Sequence, residues 1–152
     1  MDKFPKTGFV TLPAMAVGAG PPRHLRDLRE TREPGERSLD LPVLKFCLAE
    51  ETEALHHEEG WRNTGHNAKT LVKHHDFSIV LITMKKGNRM KEHRTEGAIS
   101  IQGISGRLRL HVGKIAIEVS TGSLVALDRA VAHDVEALED SAFVLSVCTE
   151  AS

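Results

Sequence analysis

The chain has 152 residues, enough for one domain with a core of its own. Its 20 Lys and Arg nearly balance 21 Asp and Glu, so no global field draws nucleic acid or an anionic membrane. Hydrophobic residues make up 40%, with no tyrosine, one tryptophan (Trp61) and five phenylalanines, so the core must be mostly aliphatic. No apolar run approaches the roughly eighteen residues that a membrane-spanning helix needs.

The first twenty residues carry two lysines and a mildly apolar stretch. Thr11, Pro13, Gly18 and Gly20 interrupt it and it lacks a leucine-rich centre, so it does not read as a secretion signal. Cys47 and Cys148 are the only cysteines and are expected to be small buried or half-buried thiols, not a disulfide. Together these features lead to the expectation of a cytoplasmic protein.

All six prolines lie in the first 42 residues. Proline fixes φ and removes a ladder donor, so this segment cannot line a barrel. Residues 1–39 are expected to form a proline-rich flexible arm, and residues 40–150 the folded domain. Within the arm, Arg23, Arg26, Arg29 and Arg32 interleave with Asp27, Glu30 and Glu33, a pattern expected of a solvated mixed-charge linker.

PVLKFCL, residues 42–48, is expected as a first short strand. Residues 49–60 are rich in helix formers, with acidic residues early and histidines late, which suits a helix dipole, and Gly60 is the expected stop. His56 and His57 would point about 100° apart on such a helix and make a poor chelating pair. Asn63, Gly65 and Asn67 mark a loop. Residues 70–73 and 77–84 are expected strands, with His74, His75 and Asp76 in the turn between them.

Beyond the Lys86-Gly87-Asn88 turn, the apolar residues alternate. Ile99 and Ile101 alternate with Ser100 and Gln102; Leu108, Leu110 and Val112 with Arg107, Arg109 and His111; Ile115, Ile117 and Val119 with Lys114, Ala116 and Glu118. A period of two means one buried and one wet face, hence antiparallel β. Strands are expected at about 98–103, 106–112, 114–119 and 122–127, with glycines 103, 106, 113 and 122 at their turns. His133 lies on the face of Val131 and Val135, and a last strand carries Phe143, Leu145 and Val147. Some nine short strands point to an all-β barrel. No glycine-rich turn leads into a helix to cradle phosphate, and no Ser-His-Asp or Cys-His set has motif support.

Two spacings carry a resemblance. Gly87, His93, Thr95, Ile99 and Gly106 fall on G-x5-H-x-H-x3-4-E-x6-G. Gly122, Asp128, Ala130, His133 and Ala137 fall on G-x5-P-x-G-x2-H-x3-N. These are the two motifs of the cupins, and over residues 40–150 the chain resembles a small single-domain bacterial cupin with a degenerate metal motif. The resemblance implies a cupin-type double-stranded β-helix, a jelly-roll barrel, with a short helix before it. It also implies a homodimer. The second histidine and the glutamate of the metal motif fall on Thr95 and Ile99, so His93 and His133 are the remaining metal candidates.

Two imidazoles fall short of the three or four donors that a divalent ion such as iron, manganese, nickel or zinc takes from a protein. Glu96 is the nearest further donor in sequence, but on a strand it has the opposite parity to His93. His111 is expected to face outward. Two functions follow from this site. The first is a non-enzymatic module holding a small polar molecule in the barrel, as a sensor or an accessory to an enzyme. The second is a metal-dependent enzyme, dioxygenase- or isomerase-like, with a reduced two-histidine site. The sequence leaves open whether the protein catalyses anything.

Overall fold

The computed structural model describes residues 43–149. The arm expected at residues 1–39, with its arginines, lies outside them. Nine strands follow two short helices: α1 (Leu48–His57) and α2 (Glu59–Thr64), then β1 (His66–Lys73), β2 (Phe77–Met84), β3 (Arg89–His93), β4 (Ala98–Ser105), β5 (Arg107–Val112), β6 (Ile115–Ser120), β7 (Leu124–Leu127), β8 (His133–Ala137) and β9 (Ser141–Cys148). They form two antiparallel sheets. One has five strands in the order β1-β2-β9-β4-β7, the other four in the order β3-β8-β5-β6.

The alternation read from the sequence is what lets the sheets close on each other. The five-stranded sheet contributes Ile82, Met84, Ile99, Ile101 and Phe143 to the core between them. The four-stranded sheet contributes Leu108, Leu110, Val119, Val135 and Ala137. The core is aliphatic save for Phe143, as the composition required. A second apolar cluster lies on the other face of the five-stranded sheet, where Leu55 of α1 packs with Leu71, Leu81 and Val144. The sheet is thus covered on both faces along β2 and β9, which explains the unbroken apolar run from residue 79 to 82.

Four expectations from the sequence are corrected here. Residues 42–48 do not form a strand: residues 43–47 have no regular structure and Leu48 already opens α1. Phe46 and Leu48 pack on the second cluster. The helix expected over residues 49–60 already ends at His57; Gly60 lies inside α2, which Gly65, left-handed at φ 73°, ends. Cys47 and Cys148 are free, as expected, but both are exposed. β9, expected to close the barrel, lies in the middle of its sheet between β2 and β4.

The outer face of the four-stranded sheet is charged, and its charges alternate in sign across the strands. Arg89 of β3, Glu136 of β8, Arg109 of β5 and Glu118 of β6 are successive register partners. Arg89 grips the buried Asp134 with two hydrogen bonds, Nε to Oδ1 at 3.1 Å and Nη2 to Oδ2 at 2.7 Å. That hydrogen bond, then the Asp134 charge, raises the Arg89 pKa above its ordinary value. His111, outward as expected, reaches Glu136 at 3.3 Å.

Two backbone positions show what the turns demand. Gly106 has φ 71°, and a Cβ there would stand 2.2 Å from the Asp140 carbonyl oxygen and 2.5 Å from Ser141 Oγ. Ser141 itself is buried and ties this turn down, accepting from the Arg107 N–H and donating to the Glu139 carbonyl. Gly122 has φ 81° but open space around it. Left-handed strain for a non-glycine residue is worth about 1–2 kcal/mol. Gly122→Ala should therefore cost about 1 kcal/mol in denaturant unfolding, while Gly106→Ala, which adds a backbone clash, should cost at least about twice as much. Equal losses would contradict this packing of the β4–β5 turn on Ser141.

Candidate functional site

His93 ends β3 and His133 begins β8, and the two are register partners across that pair of strands. Their ring centroids lie 4.4 Å apart with planes at 61°, an edge-on contact. His133 is 3% exposed and shares its strand face with the core residues Val135 and Ala137. His93 is exposed. One imidazole is therefore rooted in the barrel and the other faces solvent, at the end of the barrel where β3 finishes.

A bulge makes the meeting happen. Met90 pairs with Val135 and His93 with His133, so three residues of β3 span what two of β8 span. In a flat ladder Met90 and His93, three apart, would face opposite ways. The one-residue surplus turns His93 onto the inner side, where Met90 packs against the core.

Backbone carbonyls orient both rings. His93 Nδ1 lies 2.9 Å from the Lys91 carbonyl oxygen, and His133 Nδ1 lies 2.8 Å from that of Val131. A carbonyl only accepts, so each Nδ1 carries its proton and donates. In the neutral ring, the Nε2 lone pair is then left for something else. The same device, a ring N–H held by a backbone carbonyl, fixes the tautomer of histidines that bind metals.

The loops beside the pair are clasped together. The Ala130 N–H donates to the Thr95 carbonyl at 2.9 Å. Ala130 has φ 56°, the single non-glycine residue with positive φ among the described residues. It stands where the second motif has glycine, so the chain keeps that backbone conformation although the residue is alanine. Thr95, at the position of the motif's second histidine, contributes its backbone carbonyl to this clasp.

The donor set of a divalent centre is not assembled. Ile99, at the glutamate position, is 5% exposed and belongs to the core. Glu96 is exposed and lies in the loop after β3, not on a strand. Among the described residues no group of three or more His, Cys, Asp and Glu side chains could hold a metal. His74 and His75 are in the turn expected for them, and His75 faces Asp76 at 3.7 Å. His56 packs its ring 4.2 Å from that of Trp61, while His57 reaches Glu53 at 3.0 Å. None of these joins the His93–His133 pair. The sequence placed both histidines on one interior. It missed the bulge that brings His93 there and the carbonyls that set the tautomers.

No family model and no curated protein matches the sequence. Solved structures do. A conserved protein of unknown function from Streptococcus pyogenes is 21% identical with a TM-score of 0.55, over 57% of this chain and 76% of that one. KdgF from Halomonas sp. is 19% identical at TM-score 0.53, over 57% and 82%. An RmlC-like cupin from Desulfovibrio desulfuricans is 18% identical at TM-score 0.52, over 74% of this chain and 96% of its own. Two antiparallel sheets around one aliphatic core, together with the likeness to this and other solved cupins, give this chain the cupin fold.

Proposed function

We propose that the protein is a binding module that holds a small polar molecule at the barrel mouth, against His93 and His133, rather than an enzyme built on a divalent metal. The observation that supports this reading is the pair itself: two touching rings, one buried and one exposed, each with Nδ1 committed to a carbonyl. What the rings offer is a pair of acceptor nitrogens, one on the buried ring and one on the exposed ring. Such a surface suits a ligand bearing hydroxyl groups, whose O–H would donate to Nε2. The loops at 94–97 and 128–132, clasped through Thr95 and Ala130, would set the rim around it.

A panel of polyols, sugars and hydroxy acids, followed by thermal shift, tests the proposal. A ligand present at about a hundred times its dissociation constant should stabilise the fold by about 2.7 kcal/mol. His133→Ala and His93→Ala should each abolish that gain. His93→Ala, at an exposed position, should leave the unliganded melting temperature nearly unchanged. A packed histidine with no ligand role would instead cost about 1–3 kcal/mol on His133→Ala, with no ligand effect to lose. That outcome would contradict the proposal.

The same rim generates a second expectation. Ala130→Gly should stabilise the protein by about 0.5–1 kcal/mol, because glycine adopts the left-handed conformation without strain. A loss of stability on this change would show that the loop does not hold Ala130 at positive φ.

A further inference from the structure

Among the described residues each sheet ends in two edge strands, β1 and β7 in one, β3 and β6 in the other. An edge strand shows unpaired N–H and C=O groups, and proteins blunt such edges with bulges, lysines or very short strands. Three of these four are blunted. The register of β1 shifts between Thr70 and Val72, and that of β3 between Met90 and His93. β7 has only four residues. β6 differs: it has six residues, no proline and an unbroken register with β5 from Ile115 to Ser120. Its inner row runs from buried Val119 through half-buried Ile117 to Ile115, which is 63% exposed. Ala116 is exposed as well.

We infer that this edge pairs with the same edge of a second copy of the chain, antiparallel about a two-fold axis at Ala116, joining two four-stranded sheets into one continuous sheet. β5 and β6 are joined by the two-residue turn Gly113-Lys114, with Val112 and Ile115 as the closing pair. The closing pair of such a hairpin exchanges its hydrogen bonds, and the pairs alternate beyond it. Ala116 and Glu118 therefore turn their N–H and C=O groups away from β5, toward the free edge. The far end of the strand is already covered. A Cβ on Gly103 of β4 would stand 2.2 Å from the Ser120 carbonyl oxygen, so β4 lies close against that end. What stays open is the stretch from Lys114 to Glu118, centred on Ala116. Laid antiparallel against itself about that centre, it sets Lys114 opposite Glu118 twice and Ile115 opposite Ile117 twice. An axis at Ile115 or Ile117 would leave neither charge facing its opposite. An axis at Glu118 would set the two Glu118 carboxylates against each other. Charge complementarity thus selects the register that the open length of the edge also allows. Glu118 has room for a second partner, since Arg109 Nη2 approaches it only to 3.6 Å.

The inference names the strand and the register of a dimer, and it does not depend on the ligand proposed for the barrel mouth. Sedimentation of the full chain over a concentration series tests it, with a reducing agent present because Cys47 and Cys148 are exposed. The expected result is a monomer–dimer equilibrium. Ile115→Lys sets a charge against the apolar pair, and Ala116→Pro removes an N–H that β5 does not use. Each should weaken association by at least about tenfold. Ile115→Lys, at an exposed position, should leave thermal unfolding of the dilute protein nearly unchanged. Lys114→Glu and Glu118→Lys should each self-associate poorly, because each sets like charges across the axis. An equimolar mixture of those two variants should recover a dimer, since every cross-strand charge pair between them is again of opposite sign. A chain that stays monomeric at every concentration would overturn the inference. So would a dimer unmoved by Ile115→Lys and Ala116→Pro, or a mixture that associates no more tightly than its components.

Discussion

Met90 lies against Val135 and His93 against His133, and the surplus residue of β3 between those two pairs governs the barrel mouth. A sheet has a period of two, so adding one residue reverses the facing of everything beyond it. Without the surplus, His93 would join Arg89 on the charged outer face. With it, the ring meets His133, and Met90 stays inside as well. The site is thus a property of register, not of the two histidines alone.

The rest of the fold holds that register in place. β8 is paired on both sides, with β3 and with β5, and its inner residues Val135 and Ala137 are core. On its outer side Asp134 is gripped by Arg89, a residue of β3. That contact pins the two strands together just before the bulge. A carboxylate so poorly exposed would be expensive without its guanidinium. The loop after β3 is tied to the turn before β8 through Thr95 and Ala130. The bulge is therefore fastened at both ends.

Much of this was legible in the sequence because alternation is a direct record of facing. Val131, His133 and Val135 share parity, and the structure puts His133 and Val135 on the same wall. Leu108 and Leu110 point in, Arg107 and Arg109 point out, and both were readable. What was not legible depends on tertiary contacts. An apolar segment such as PVLKFCL looks the same whether it pairs as a strand or packs before a helix on the back of a sheet. A bulge leaves no trace in composition: KEH reads as three successive strand residues. Ala130 at positive φ was hidden for the opposite reason, since alanine gives no hint of a conformation that glycine would have advertised. The motif spacing pointed at this position, but only the backbone shows that alanine adopts that conformation here.

The claim most exposed to test is that both imidazoles are held with Nδ1 donating to the chain, so that the Nε2 lone pairs are what the site offers. Nitrogen-15 NMR of the ring nitrogens of His93 and His133, assigned through His93→Ala and His133→Ala and recorded at a pH where the rings are neutral, reads this directly. The structure predicts a protonated Nδ1 and a bare Nε2 on both residues. A proton on Nε2 of either ring, the ordinary state of a histidine free in water, would mean that the carbonyls of Lys91 and Val131 do not hold the rings, and that the pair presents no such site.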